Sequence, residues 1–131
     1  MGAGKGRDDE QHVVILMTCG PSMPGRCATP FYIGAVLASM DARVDLFLTM
    51  EAVRLAERGV AESLVPVDGG KQVIEFIRDA KRVGVRLHVC GPALPGFQVA
   101  DTADLIDEVD ELSSGGALAD LILSCDKVLT L

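Results

Sequence analysis

Apolar and polar positions along the chain follow two alternating periods. Residues 13–17, within HVVILMT, form a short apolar block bounded by Gly-Pro signals, which predicts a fully buried strand. After the loop CGPSMPGRC, Thr29-Pro30 predicts a helix start, with Thr as cap and Pro in the first turn. The helix that follows, FYIGAVLASM, is apolar nearly all round and needs cover on more than one side. In ARVDLFLT, residues 42–49, alternation places Val44, Leu46 and Leu48 on one strand face and Asp45 and Phe47 on the other. Residues 51–58 predict a short helix stopped at Gly59, and residues 62–67 a short extended piece. Residues 71–83 form the clearest amphipathic helix, with Val73, Ile77, Ala80 and Val83 at helical spacing. VRLHVC, residues 85–90, predicts a strand with Val85, Leu87 and Val89 on one face and Arg86, His88 and Cys90 on the other. A helical turn over 102–106, a strand over 108–112, a helix over 117–124 and a strand over 128–131 complete the pattern.

Strands alternating with helices predict right-handed βαβ units. The expected fold class is therefore α/β, with one domain over residues 12–131, a mainly parallel five-stranded sheet and helices on both faces. Residues 1–11, rich in Gly and mixed charge, read as a flexible tail. Composition agrees: 49% of the 131 residues are hydrophobic but only 4% aromatic, so aliphatic side chains must fill the core, as suits a sheet covered on both sides.

Charge narrows the partners. A formal charge of -7 and a pI near 4.7 speak against nucleic acid and against an anionic membrane surface. The apolar blocks are too short to span a bilayer. MGAGKGRDDEQ has no apolar core of a secretory signal, and Gly6 breaks a myristoylation motif at Gly2. A cytoplasmic location is expected, with Cys19, Cys27, Cys90 and Cys125 as free thiols rather than a disulfide framework.

Cys90 is the foremost candidate for chemistry. It ends a strand and precedes Gly91-Pro92, and open parallel sheets bind ligands beyond the carboxyl ends of their strands. His88 lies on the same strand face, where an imidazolium, like a nearby helix N-terminus, would favour the thiolate. Against this stands the plain reading of Cys90 as a small buried hydrophobe and of His88 as a structural histidine. Cys19 and Cys27 bracket their loop too widely for a zinc site, and Cys125 reads as core. No phosphate-binding loop, serine elbow or diagnostic carboxylate pair is present. The acidic run Asp101, Asp104, Asp107, Glu108, Asp110 and Glu111 reads as a solvated face.

Three segments carry a family resemblance: Gly20-Pro21 with RCATPFYIGAVLASM and DARVDLFLTMEAV, then GVRLHVCG, then LIDEVDELSSGGALADLILSCDKVLTL. In order and spacing the chain resembles the DsrE/DsrF-like (DsrEFH, TusD-type) sulfur-relay family from Val13 to Leu131. The resemblance implies a three-layer α/β/α Rossmann-like fold, homotrimers or homohexamers, and no organic cofactor. It also implies that Cys90 accepts sulfane sulfur as a persulfide and passes it from a donor protein to an acceptor protein. Cys19 and Cys27 match no part of that motif. Two other readings remain open: an oligomeric binding module without chemistry, and a thiol redox protein pairing Cys90 with Cys19 or Cys27.

Overall fold

The computed structural model describes residues 10–99 and 104–131. Its strands are β1 (His12–Met17), β2 (Arg43–Leu48), β3 (Arg86–Cys90), β4 (Glu111–Ser113) and β5 (Lys127–Thr130). The helices are α1 (Thr29–Ser39), α2 (Val60–Ser63), α3 (Val73–Arg82) and α4 (Gly115–Ser124). The strands form one sheet in the order β4-β3-β2-β1-β5, and every pairing is parallel.

From β1 to β3 the chain steps in one direction across the sheet; from β4 to β5 it steps back over three strands. Right-handed crossovers therefore put α1 and α3 on one face and α4 on the other. The first face holds the main core. Val13, Ile15, Met17, Val44, Leu46, Leu48, Leu87 and Val89 meet Phe31 of α1 and Val73, Ile74 and Ile77 of α3. Gly34 faces the sheet from α1, where a Cβ would make ordinary contact with Ile15, Val44 and Val85. The second face carries Val14 and Phe47, both fully buried, and the polar residues Asp45 and His88.

Several element expectations change. The helix expected over 51–58 is a 3₁₀ segment, Met50–Ala56. Its buried residues, Ala52 with Leu55 and Val53 with Ala56, recur at the three-residue spacing that a 3₁₀ helix aligns. Residues 62 and 63 of the extended piece expected over 62–67 belong instead to a helical turn, α2, at whose start Glu62 accepts the Gly59 N–H at 3.0 Å. Thr29 is the first helical residue rather than the cap, and Ala28 occupies the cap position. The strand expected over 108–112 is shorter and later, as β4. In the acidic run leading into it, Asp104, Asp107, Asp110 and Glu111 are exposed as expected, but the face is also cross-linked: Arg78 reaches Glu108 at 3.0 Å, Lys81 pairs with Asp110, and Asp110 accepts the Leu87 N–H at 2.7 Å; Asp101 lies outside the described residues. Residues 102 and 103 of the expected turn, and residues 1–9 of the expected tail, lie outside the described residues; Leu105 bridges to Glu57.

Candidate functional site

Parallel strands bring their carboxyl ends to one rim, and Cys90 is the last residue of β3. Gly91–Ala93 turn the chain away at once in a 3₁₀ segment, which leaves Cys90 half-buried. Cys90 is in register with Ser113 of β4, so both side chains belong to the same sheet face. The next residue, Ser114, caps α4 by accepting the Ala117 N–H at 3.1 Å. The N-terminus of α4, where the Gly115 and Gly116 amides make no hydrogen bond among the described residues, thus opens beside the strand end that carries Cys90. Such a terminus favours negative charge near it.

His88 lies one alternation deeper on the same face and is 7% exposed. Its Nε2 is 2.7 Å from Asp45 Oδ1, and its Nδ1 is 3.3 Å from Ser113 Oγ. Its ring stacks flat on Phe47, with centroids 4.3 Å apart. Both ring nitrogens are thus occupied, and His88 makes no hydrogen bond to Cys90. Asp45, 2% exposed, takes a second imidazole: His12 Nε2 lies 2.6 Å from its Oδ2. Arg43 Nε stands 3.7 Å from the same oxygen. Burial pushes the Asp45 carboxyl up, but the hydrogen bonds and charges of His88 and His12 together outweigh it and hold the carboxyl below its ordinary range. An ionised Asp45 accepts from both Nε2–H groups, so a neutral His88 keeps its Nδ1 lone pair for the Ser113 hydroxyl.

The other cysteines fall elsewhere. Cys27 is fully buried and its thiol donates to the Gly20 carbonyl at 3.2 Å. Burial first, then Cys19 and Glu51, push its pKa up to about 11, which keeps it a neutral thiol. Cys19 follows β1 at the same rim as Cys90, half-buried, but β2 separates the two strand ends by roughly 10 Å at two strand spacings. Cys125 is half-buried rather than core: it follows α4 at the amino end of the sheet, where the next residue, Asp126, bonds the His12 carbonyl. All four cysteines are free thiols.

The loop after β1 is fixed to the start of the Met50–Ala56 segment. Ser22 donates both its N–H and its hydroxyl to Glu51, at 2.8 and 2.6 Å. A Cβ on Gly20 would overlap the Glu51 carbonyl, so only glycine allows this approach. Among the described residues, no group of three His, Cys, Asp or Glu side chains is placed to hold a metal ion. Cys90 and His88 emerge from the sequence by strand alternation. Ser113, Asp45 and His12 do not, although a carboxylate and an imidazole in otherwise apolar strands are a signal for buried partners.

A model of the DsrE/DsrF-like family matches residues 11–131. Among solved structures, the ychN protein from E. coli is 26% identical, with a TM-score of 0.76, covering 92% of this chain and 99% of its own. Protein MTH1491 from Methanobacterium thermoautotrophicum, described as of unknown function, is 18% identical with a TM-score of 0.65, covering 94% and 100%. BT1422 from Bacteroides thetaiotaomicron, also of unknown function, is 17% identical with a TM-score of 0.61, covering 97% and 100%. The latter two share the fold. No curated protein matches the chain.

Proposed function

This chain belongs to the DsrE/DsrF-like family, and on that premise we propose that it is a sulfur carrier in which Cys90 accepts sulfane sulfur as a persulfide and passes it to a partner thiol. The observation that carries the reading is the placement of Cys90 at the carboxyl rim, half-buried, beside the opening turn of α4. The Cys90 thiolate attacks the terminal sulfur of a donor persulfide, the donor S–S bond breaks, and the donor leaves as a thiol. An acceptor thiolate then attacks the terminal sulfur on Cys90 and restores the starting thiolate. His88 supports this through Ser113 rather than by direct contact with the thiol.

Donor and acceptor proteins are the partners this chemistry needs, and a cytoplasmic setting keeps the thiols reduced. Among the described residues no helix is long and apolar enough to cross a membrane. We also propose a homo-oligomer, a trimer or hexamer. Tyr32, Val36 and Met40 of α1 line a groove of about 350 Å³ with Phe76 and Asp79 of α3, and α4 exposes Ile122 and Leu123. Apolar surface of this kind marks interfaces.

The test is intact mass after incubation with inorganic polysulfide, for the wild type and for each of the four Cys→Ser variants. The wild type, Cys19→Ser, Cys27→Ser and Cys125→Ser gain sulfur, and Cys90→Ser does not. Uptake by Cys90→Ser at the wild-type level sinks the assignment. No uptake by any form favours a binding module, and loss of two hydrogens favours a redox pair.

A further inference from the structure

The buried network on the second sheet face has one end at the rim. It runs from His12 on β1 through Asp45 on β2 and His88 on β3 to Ser113 on β4, with separations of 2.6, 2.7 and 3.3 Å. Its last member, Ser113, is the register partner of Cys90, one strand spacing away on the same face, and the two side chains make no hydrogen bond in this structure. We propose that Ser113, His88, Asp45 and His12 form a proton relay that draws the Cys90 thiol proton inward and returns it to the departing thiol. The proposal rests on the sulfur-carrier reading of Cys90 and assigns positioning roles to residues that do not touch the transferred sulfur.

The geometry fits that role in three ways. Asp45 fixes Nε2 of His88 as the donor, which turns the basic Nδ1 toward Ser113 and hence toward the rim. Phe47, stacked flat on the ring, removes its rotational freedom. Asp45 is held by both imidazoles in a nearly dry place, where a carboxylate steadies an imidazolium formed beside it. Burying such groups is unfavourable where aliphatic side chains would pack without that cost, and the opposite face of the same sheet is aliphatic. Among the described residues, the other charged groups at the network are few. Arg43 stands near Asp45, Arg86 pairs with Glu111 at 3.5 Å across β3 and β4, and Asp126 accepts the His12 backbone N–H. Helix α4, which crosses this face, carries only Asp120, which is exposed.

In the step, the Cys90 side chain turns toward its register partner, the S–H bond breaks and its proton goes to Ser113 Oγ while the Ser113 hydroxyl proton goes to His88 Nδ1. The Cys90 sulfur bonds the terminal sulfur of the donor R–S–SH, and the donor S–S bond breaks. The departing R–S⁻ recovers the proton from His88 through Ser113. The sum is Cys90–SH plus R–S–SH giving Cys90–S–SH plus R–SH, with no external oxidant or reductant.

The experiment compares Ser113→Thr with Ser113→Val in the full chain, because the two replacements share a shape and differ by the hydroxyl. Cys90 alkylation by iodoacetamide is followed by peptide mass across the pH range, and loading from inorganic polysulfide is followed in parallel. We expect Ser113→Val to slow Cys90 modification at neutral pH about tenfold, below the full contribution of a positioned base. It should also erase the acid-side inflection of the rate profile, while Ser113→Thr keeps both. Profiles that coincide for Thr, Val and wild type overturn the relay. Equal slowing by Thr and Val also overturns it, because the hydroxyl is then irrelevant. If alkylation depends on the hydroxyl but polysulfide adds no sulfur to Cys90, the sulfur-carrier reading fails and the relay stands.

Discussion

Burial beside Cys19 and Glu51 keeps the Cys27 thiol protonated up to about pH 11, whereas an unfolded cysteine ionises near 8.5. Between those values the unfolded chain has released more protons, so stability falls as pH rises, by up to about 1.4 kcal/mol per pH unit; below 8.5 the contribution is complete. Urea midpoints of the wild type should drop across that alkaline window, and Cys27→Ala should flatten the drop. Asp45 has the opposite sign. Its folded carboxyl is held low, so its contribution is present above the unfolded value near 3.9 and is lost as pH falls through the folded value. Asp45→Asn offers one acceptor oxygen to two imidazole donors and leaves one of them facing an amide. We expect a loss of about 1–3 kcal/mol by urea denaturation at neutral pH. At this scale the sequence discloses which residues share a strand face: Cys90 with His88, and Asp45 with Phe47. It does not disclose that these pairs share one face of one sheet, because Asp45 and His88 lie 43 positions apart and meet only through strand register.

Elements were legible where a period is long and clean. The run from Val73 with Ile77 and Ala80 gives α3, and apolar blocks give β1 to β3. The Met50–Ala56 segment was legible as helical but not as a 3₁₀ helix, because so short a run does not separate the two periods, and α2 is decided by contact rather than by period. A tight turn must fit between the end of β2 and the core, and one side-chain bond closes α2. The loop after β1 is decided in the same way by the Gly20 approach to Glu51. Gly20→Ala should displace that loop and cost about 1–3 kcal/mol, the range for forced overpacking, read as a lower urea midpoint. Wild-type stability in that variant would show that the loop moves without penalty. Helix α4 was legible as a helix, but its surroundings were not. The segment GGALADLILS is largely apolar, yet no residue of it is fully buried and Leu123 is 86% exposed.

On the scale of the molecule, exposed apolar residues fall on two helices that lie on opposite faces of the sheet. Met40 at the end of α1 is 73% exposed, and Leu123 on α4 more so. Two such patches suit an assembly that uses both faces. Light scattering at tens of micromolar, where a standard-size interface persists, should return a trimer or hexamer. Met40→Asp and Leu123→Asp should each lower the mass, and a wild-type monomer would count against the proposal. The α/β class and the parallel pairing follow from the alternation of elements. The strand order does not, since the return of β5 to the far side of β1 leaves no mark in the local pattern.

That return has a bearing on synthesis and quality control. Residues His12 and Asp126, joined where β5 meets β1, are 114 positions apart. On a ribosome, β1 to β3 with α1 and α3 can assemble while one side of β1 still offers unpaired amides and carbonyls to any passing chain. Strand β5 therefore replaces a six-residue open edge, β1, by its own four-residue one. A chain terminated before Lys127 should keep much of its helical signal, bind thioflavin-type dyes and sediment as aggregates. The full chain, with β1 flanked by β2 and β5, should keep its helical signal and neither bind the dye nor sediment.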